Sequence, residues 1–348
     1  MQAMKVDQII VDYILNHKEE LINNTISKLG LAKKIVAENP FRYTSADIER
    51  IRVVIRSRLN ANGKNSTSKS LFEAPVVDIG KLVKLGMYLP ESKVEKREEF
   101  IIKGSERVLI ISDIHYPYYD RDALLCALGF GKEKEVDTII INGDLIDFWQ
   151  ISSFSKIGTK MGAADEVQGA REFLYWLRRE FPTCRIIYKF GNHEARWNKY
   201  IWSRGPELAK LLEMEYGQNL GLPSMLHCEA LHIEIVHEWQ WIRLGKLTVI
   251  HGHEVSGRFG GSVTPARALM NKMKVSALHG HVHQVDTYTA NNGKGEAISC
   301  YTTGALCNLD ADYDGTAKLR CSHGFAFVQM TGDNFRVSNI RIINGEIY

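Results

Sequence analysis

Apolar residues follow two different rhythms along the chain. Over residues 1 to 60 they recur at helical spacing. Val6, Ile9, Ile10, Tyr13 and Ile14 form one stripe, and Leu21, Ile22, Ile26 and Leu29 form a second that Gly30 could end. A third runs through Ile48, Ile51, Val54, Ile55 and Leu59. Thr44 stands before it with Asp47 three residues on, the arrangement of a capping box. The other face of this third helix carries Arg50, Arg52, Arg56 and Arg58. Residues 60–70 then turn polar and rich in Gly, Ser and Asn, which predicts a linker. Residues 71–106 are read as a connector, in which Ile79, Leu82, Val83 and Leu85 suit a short helix. The mixed-charge run at 93–99 suits a solvated connection or an edge.

From Arg107 onward the rhythm changes. Residues 108–111, 139–141, 186–188 and 247–250 are continuous apolar runs, the pattern of strands buried on both faces. Helical patterns lie at 122–130, 167–181 and 206–214. Strands alternating with helices predict an α/β domain over 107–348. Residues 297–303, 325–330 and 335–343 add strands with short turns. Residues 161–168 suit a mobile segment. The whole reads as a small all-α module at 1–70, helix-turn-helix-like in its three short helices, followed by a connector and an α/β domain.

Composition changes this picture little. A chain of 348 residues has room for a catalytic domain plus a module. Its 45% apolar and 24% charged content is ordinary for a globular protein. The net charge of +3 argues nothing by itself, but residues 1–70 hold twelve Lys/Arg against seven Asp/Glu. That local excess suits a polyanion partner. DNA binding through Arg50, Arg52, Arg56 and Arg58 is one reading of the module; a solvated helix face on a docking arm is the other. No run approaches the roughly 18 apolar residues of a membrane span, so no membrane role is expected. The first residues lack a secretory pattern, which makes the cytoplasm the expected location. Six cysteines (Cys126, Cys184, Cys228, Cys300, Cys307, Cys321) without a CxxC pair read as reduced thiols, not as a zinc finger or a disulfide scaffold.

The chemistry lies in five polar clusters, each directly after an apolar run. They are Asp113-Ile114-His115, Gly143-Asp144-Leu145-Ile146-Asp147, Gly191-Asn192-His193-Glu194, His251-Gly252-His253 and Gly280-His281-Val282-His283. In an open α/β sheet, groups at strand ends converge on one rim. Together the clusters supply the oxygens and imidazoles that two divalent cations need. Two dications about 4 Å apart repel by roughly 16 kcal/mol at an effective dielectric near 20, so an anion must lie between them. Asp144 is the natural bridging carboxylate and Asp113 adds a second. His115, Asn192, His251, His281 and His283 are the neutral donors. Imidazole suits Mn, Fe or Zn, and the carboxylate and amide oxygens favour Mn.

In this order the clusters (DxH, GDxxD, GNHE, HGH and GHxH) resemble the calcineurin-like metallophosphoesterase superfamily, from Arg107 to the C-terminus. The resemblance implies a four-layer α/β/β/α sandwich. It implies one metal on Asp113, His115, Asp144 and His283, and a second that shares Asp144 and takes Asn192, His251 and His281. His193 would contact the phosphate and protonate the leaving oxygen, oriented by Asp147. The implied reaction is attack on phosphorus by a metal-bridging hydroxide.

Substrate candidates are less sharply drawn. His253 could line the cleft or cap a turn. Trp149 could stack on a base, although it and Phe148 equally suit the core. Arg196 could reach a phosphate oxygen or form a surface salt bridge. Protein serine/threonine phosphatases of the superfamily carry an arginine where this chain has Phe148, which disfavours a phosphoprotein substrate. The paired HGHE and HGHVH segments and the helical module look more like phage or prophage-type members, or like DNA-repair exonucleases. That implies a phosphodiesterase or nuclease acting on nucleic acid, in a host cytoplasm if phage-encoded. The alternative is a small-molecule phosphomonoesterase or pyrophosphatase with a structural N-terminal arm.

Overall fold

A computed structural model describes residues 8–59, 94, 97–152, 161–255, 264–309 and 321–348. The chain divides into two compact units, Met1–Val94 and Glu95–Tyr348. The expected linker at 60–70 and the connector as far as residue 93 lie outside the described residues.

The first unit is helical, with α1 at Gln8–Asn16, α2 at Lys18–Ile22, α3 at Lys28–Glu38 and α4 at Ile48–Leu59. Ile10, Ile14, Leu31, Ile35, Ile51 and Ile55 are buried together, so the apolar stripes do meet in one small core. Asp47 accepts the Thr44 N–H at 2.9 Å, as the capping pattern predicts. Gly30 does not end a helix. Asn24 leaves helical geometry after α2 with φ 57°, a conformation asparagine tolerates. The Ser27 hydroxyl then accepts the Gly30 N–H at 2.9 Å and starts α3, which puts Gly30 in a first turn.

The second unit holds two sheets. One has seven strands in the order β13-β12-β11-β2-β3-β4-β5. These are β2 (Arg107–Ile111), β3 (Thr138–Asn142), β4 (Arg185–Lys189), β5 (Ile233–Val236), β11 (His323–Thr331), β12 (Asn334–Ile343) and β13 (Glu346–Ile347). Its β2 to β5 run parallel. The other sheet has six strands in the order β1-β6-β7-β8-β10-β9. These are β1 (Phe100–Ile102), β6 (Ile242–Leu244), β7 (Leu247–Val249), β8 (Ala277–His279), β9 (Asp286–Asn291) and β10 (Ala297–Thr302). The end of the expected connector is therefore part of this unit. Phe100–Ile102 pairs in parallel with β6, and Glu99 accepts from Arg243 Nε at 3.1 Å. Three apolar residues after a charged run show no period from which to read a strand.

The continuous apolar runs have a simple cause. Val108, Ile110, Ile140 and Ile187 point inward and pack with Ile242, Leu244, Leu247, Val249 and Leu278 of the six-stranded sheet. Leu109, Ile111, Ile139, Ile141, Ile186 and Tyr188 point outward and pack under α5 (Arg121–Glu133) and α6 (Ala163–Glu180). The remaining helices of this unit include α7 (Glu194–Arg204), α8 (Pro206–Tyr216), α9 (Leu222–Met225) and α10 (Pro265–Met273). On the far side Ile250, Ala277, Ile298 and Cys300 pack against Leu269 and Met270 of α10. Helix, sheet, sheet and helix thus form four layers, as expected. Of residues 161–168, expected as a mobile segment, Ala163 onward form the start of α6, whose Glu166 is buried in its first turn.

Candidate metal centre

All five polar clusters leave strand ends. Asp113 follows β2, Asp144 follows β3, Asn192 follows β4, His251 follows β7 and His281 follows β8. The turns are tight. Asp113, His115, Asp144, His281 and His283 have φ between 51° and 59°, a left-handed conformation that costs a side-chain-bearing residue on the order of 1 kcal/mol. Interlocking backbone bonds hold them there. Asp113 N–H reaches Gly143 O at 3.1 Å, His115 N–H reaches Asp144 O at 2.9 Å, and Gly280 N–H reaches His251 O at 3.0 Å. Two glycines admit the close approach. A Cβ on Gly143 would lie 2.3 Å from His251 Nδ1, and one on Gly191 would lie 2.3 Å from Asp144 Oδ1.

The seven candidate ligands converge. Asp144 Oδ2 lies 3.1 Å from His251 Nε2 and 3.9 Å from His115 Nε2. His283 Nε2 is 3.1 Å from Asp113 Oδ1 and 3.3 Å from His115 Nε2. His251 Nε2 is 3.1 Å from Asn192 Oδ1, and the His251 and His281 ring centroids are 5.1 Å apart. Each facing Nε2 is set from behind. His115 Nδ1 meets Asp147 Oδ1 at 2.9 Å, His251 Nδ1 meets Asn142 O at 2.8 Å, and His283 Nδ1 faces the Cys307 sulfur at 4.0 Å. Carboxylate oxygens among imidazole nitrogens, with the far ring nitrogens tied off, fit a pair of divalent cations.

The electrostatics of the metal-free cluster agree. Burial opposes ionisation of Asp113 and Asp144, yet the neighbouring histidines, His283 for the first and His193 and His251 for the second, hold both carboxyls well below the ordinary range. Burial also disfavours a charged His251, but Asp144 beside it pushes the imidazole up to about 9. Burial takes His281 down to about 4. Cations entering here would displace protons from the raised imidazoles.

His193 and Asp147 stand beside the cluster and face each other, Asp147 contacting the His193 ring through both its carboxylate and its carbonyl. The Asp147 carboxylate is nearest His115 and lies 3.3 Å from His193 Nδ1. It is the Asp147 carbonyl that meets His193 Nδ1, at 2.7 Å. His193 Nε2 is 3.7 Å from Asp144 Oδ2. Arg196 forms no surface salt bridge among the described residues. Its guanidinium donates to Asp147 O at 2.7 Å and lies 2.9 Å from His193 Nε2. The His253 ring is 5.4 Å from that of His251, and burial takes its imidazole down to about 4. Trp149 opens a 3-10 turn and is half-buried, whereas Phe148 is fully buried against Trp197. Arg50, Arg52, Arg56 and Arg58 lie on α4 of the other unit. Arg50 pairs with Asp47 and Arg52 with Glu49, each at 3.1 Å, while Arg56 and Arg58 have no ion pair among the described residues.

Two buried carboxylates build these loops; the sequence places Glu194 at the close of the GNHE turn but gives no sign of Glu166. Glu194 accepts the N–H groups of Gly191 (2.7 Å), Asp144 (3.0 Å), Leu145 (2.8 Å) and Ile146 (3.2 Å), and the Tyr188 hydroxyl (2.7 Å). Glu166 accepts the N–H of Phe148, itself left-handed at φ 51°. All but one of these partners, the Tyr188 hydroxyl, are backbone groups, which leave no trace in a sequence.

Burial pushes the Glu166 carboxyl up to about 8 from an ordinary 4.5. Between those values the folded chain keeps a proton that the unfolded chain has released. This group's contribution to stability therefore falls as pH rises from 4.5 towards 8. Glutamine mimics the protonated form. Metal-free Glu166→Gln is expected to melt with the parent chain near pH 4.5 and about a few degrees above it at pH 9. Parallel melting curves across that range would refute the assignment.

A family model described as Calcineurin-like phosphoesterase matches residues 106–285. The Gene 54 protein of Mycobacterium phage L5 is 26% identical over 251 residues, 69% of this chain and 95% of that protein. The Gene 54 protein of Mycobacterium phage D29 is 24% identical over 250 residues, with the same shares covered. Among solved structures, Vps29 of Entamoeba histolytica, crystallised with zinc, matches 70% of this chain and 96% of its own at 14% identity and a TM-score of 0.35.

Proposed function

The chain belongs to the calcineurin-like phosphoesterase family, and from that premise we propose that it hydrolyses a phosphodiester, with nucleic acid as the substrate. Membership makes it a metal-dependent phosphoester hydrolase. The observation that carries the reading is the convergence of seven donor side chains, Asp144 and six others. Asp113, His115, Asp144 and His283 would hold one ion; Asp144, Asn192, His251 and His281 would hold the other. Bound there, two divalent ions, manganese first and iron or zinc as alternatives, supply the charge that attracts a phosphoester and the acidity that makes a water nucleophilic.

The protein's own groups do the rest. His193, anchored through Nδ1 by the Asp147 carbonyl, presents Nε2 beside Asp144. From there it can give a proton to the departing oxygen. Asp147 fixes the His115 ring. Arg196, already against His193 Nε2, is placed to turn its guanidinium onto a phosphoryl oxygen. His253 and Trp149 are the further candidates for substrate contact.

The positive excess of residues 1–70, and Arg56 and Arg58, which have no ion pair among the described residues, support a nucleic-acid substrate. Similarity to phage proteins supports a phage-encoded enzyme acting in a host cytoplasm. The second reading is a phosphomonoesterase or pyrophosphatase for a small molecule. It is favoured by Arg50 and Arg52, each held by an acidic residue three positions earlier in the chain. The test is manganese-supported cleavage by the full chain of labelled DNA, bis-p-nitrophenyl phosphate and the mono-ester. Diester and DNA cleavage should exceed mono-ester cleavage. Arg56→Glu with Arg58→Glu should slow DNA cleavage while sparing the small diester. Faster turnover of the mono-ester, with DNA untouched, would sink the preferred reading.

A further inference from the structure

Lys189 ends β4 and is fully buried. Its ammonium donates to the carbonyls of His237 (3.2 Å), Glu238 (3.1 Å) and Gln240 (2.9 Å) and lies 2.8 Å from Glu254 Oε1. Glu254 is also buried, and its two oxygens accept the N–H groups of His251 (3.1 Å) and Gly252 (2.6 Å). One buried ion pair therefore joins the strand that leads into Asn192, the loop at 237–240 and the backbone of the His251 turn.

Removing a charge from water is costly, and a buried pair persists only when its remaining hydrogen-bonding capacity is filled. Here Lys189 is filled by three carbonyls of the loop at 237–240, and Glu254 by the backbone of the turn that carries His251. From the ring side, His251 is fixed by Asn142 O at 2.8 Å; from the backbone side it is fixed by Glu254. Neither Lys189 nor Glu254 has a hydrogen bond or ion pair to Asp113, His115 or His283 among the described residues.

We propose that Lys189 and Glu254 are positioning residues for one of the two cations, the one held by Asn192, His251 and His281, and leave the other unaffected. The inference rests on the dimetal reading above. Partners that orient a metal ligand typically change affinity by about 10–100-fold when removed, and here the loss should fall on a single site.

The experiment is calorimetric titration of the metal-free full chain with Mn2+, with circular dichroism to confirm folding. The parent chain should show two binding events. Glu254→Gln keeps the size of the side chain but turns an amide NH2 towards either Lys189 or Gly252 N–H, donor against donor. It should retain one event within about twofold of the parent and weaken the other about 10–100-fold. Glu254→Asp keeps the charge but falls short of both N–H groups, and should weaken the same event less. If Glu254→Gln does not fold, Glu254→Asp decides. Equal weakening of both events, or of neither, overturns the inference. A parent chain that binds fewer than two ions overturns the dimetal reading itself, and that result appears without any variant.

Discussion

Asp144→Asn is expected to lower kcat/KM for a phosphodiester by at least about 10^3-fold, a loss of about 4 kcal/mol in transition-state stabilisation. Asparagine has the shape of aspartate and keeps an oxygen for the His193 N–H, which Asp144 Oδ1 accepts at 2.9 Å. The fold of the loop should therefore survive. What goes is a negative charge within 4 Å of His115, His193 and His251 alike. Two dications without a charge between them face a repulsion of roughly 16 kcal/mol at an effective dielectric near 20. The second ion should then fail to bind at concentrations that saturate the parent chain. Metal content per chain and kcat/KM, measured on the same preparation, should fall together. Turnover within tenfold of the parent, with two ions still bound, would remove Asp144 from the bridging position.

His193→Ala should behave differently. General-acid groups contribute about 10^2- to 10^4-fold, and a loss in that range is expected in kcat with both ions retained. The size of the loss should depend on the leaving group. An alkoxide needs a proton as it departs; a nitrophenolate hardly does. The alanine variant should thus lose much more on an alkyl diester, or on DNA, than on a nitrophenyl diester. An equal loss on both would make His193 a binding group for the phosphate. Loss of metal would make it a ligand, a role open to it because His193 Nε2 lies only 3.7 Å from Asp144 Oδ2.

The parts of the molecule that could be read from sequence are those with local cause. Residues 108–111 are apolar throughout because β2 faces the second sheet on one side and helices on the other. The ligand clusters were legible because each donor set is contiguous and follows a strand. Thr44 and Asp47 announce their cap three residues apart. Other features depend on partners distant in sequence. Phe100–Ile102, Ile242–Leu244 and Ala277–His279 are three-residue strands whose existence depends on pairing. Glu166, Glu254 and Lys189 look like solvent-facing charges, because their partners, peptide groups and for Lys189 and Glu254 each other, are brought close only by folding. Arg196 could be guessed as a contact to phosphate, but its position against His193 follows from the helix that begins at Glu194.

The strand at Phe100–Ile102 has a practical consequence. The family resemblance begins at residue 106, so a shortened protein cut at that point would lack the flank of the six-stranded sheet. The backbone of Ile242–Leu244 would then stand open along one side, and the place of Ile102, which is 4% exposed, would become a hole in the interior. Unpaired strand flanks of this kind recruit other chains. A protein cut there should come out of solution more readily than one that begins before Glu99, which keeps Ile102 in the interior and the short Phe100–Ile102 strand over Ile242–Leu244.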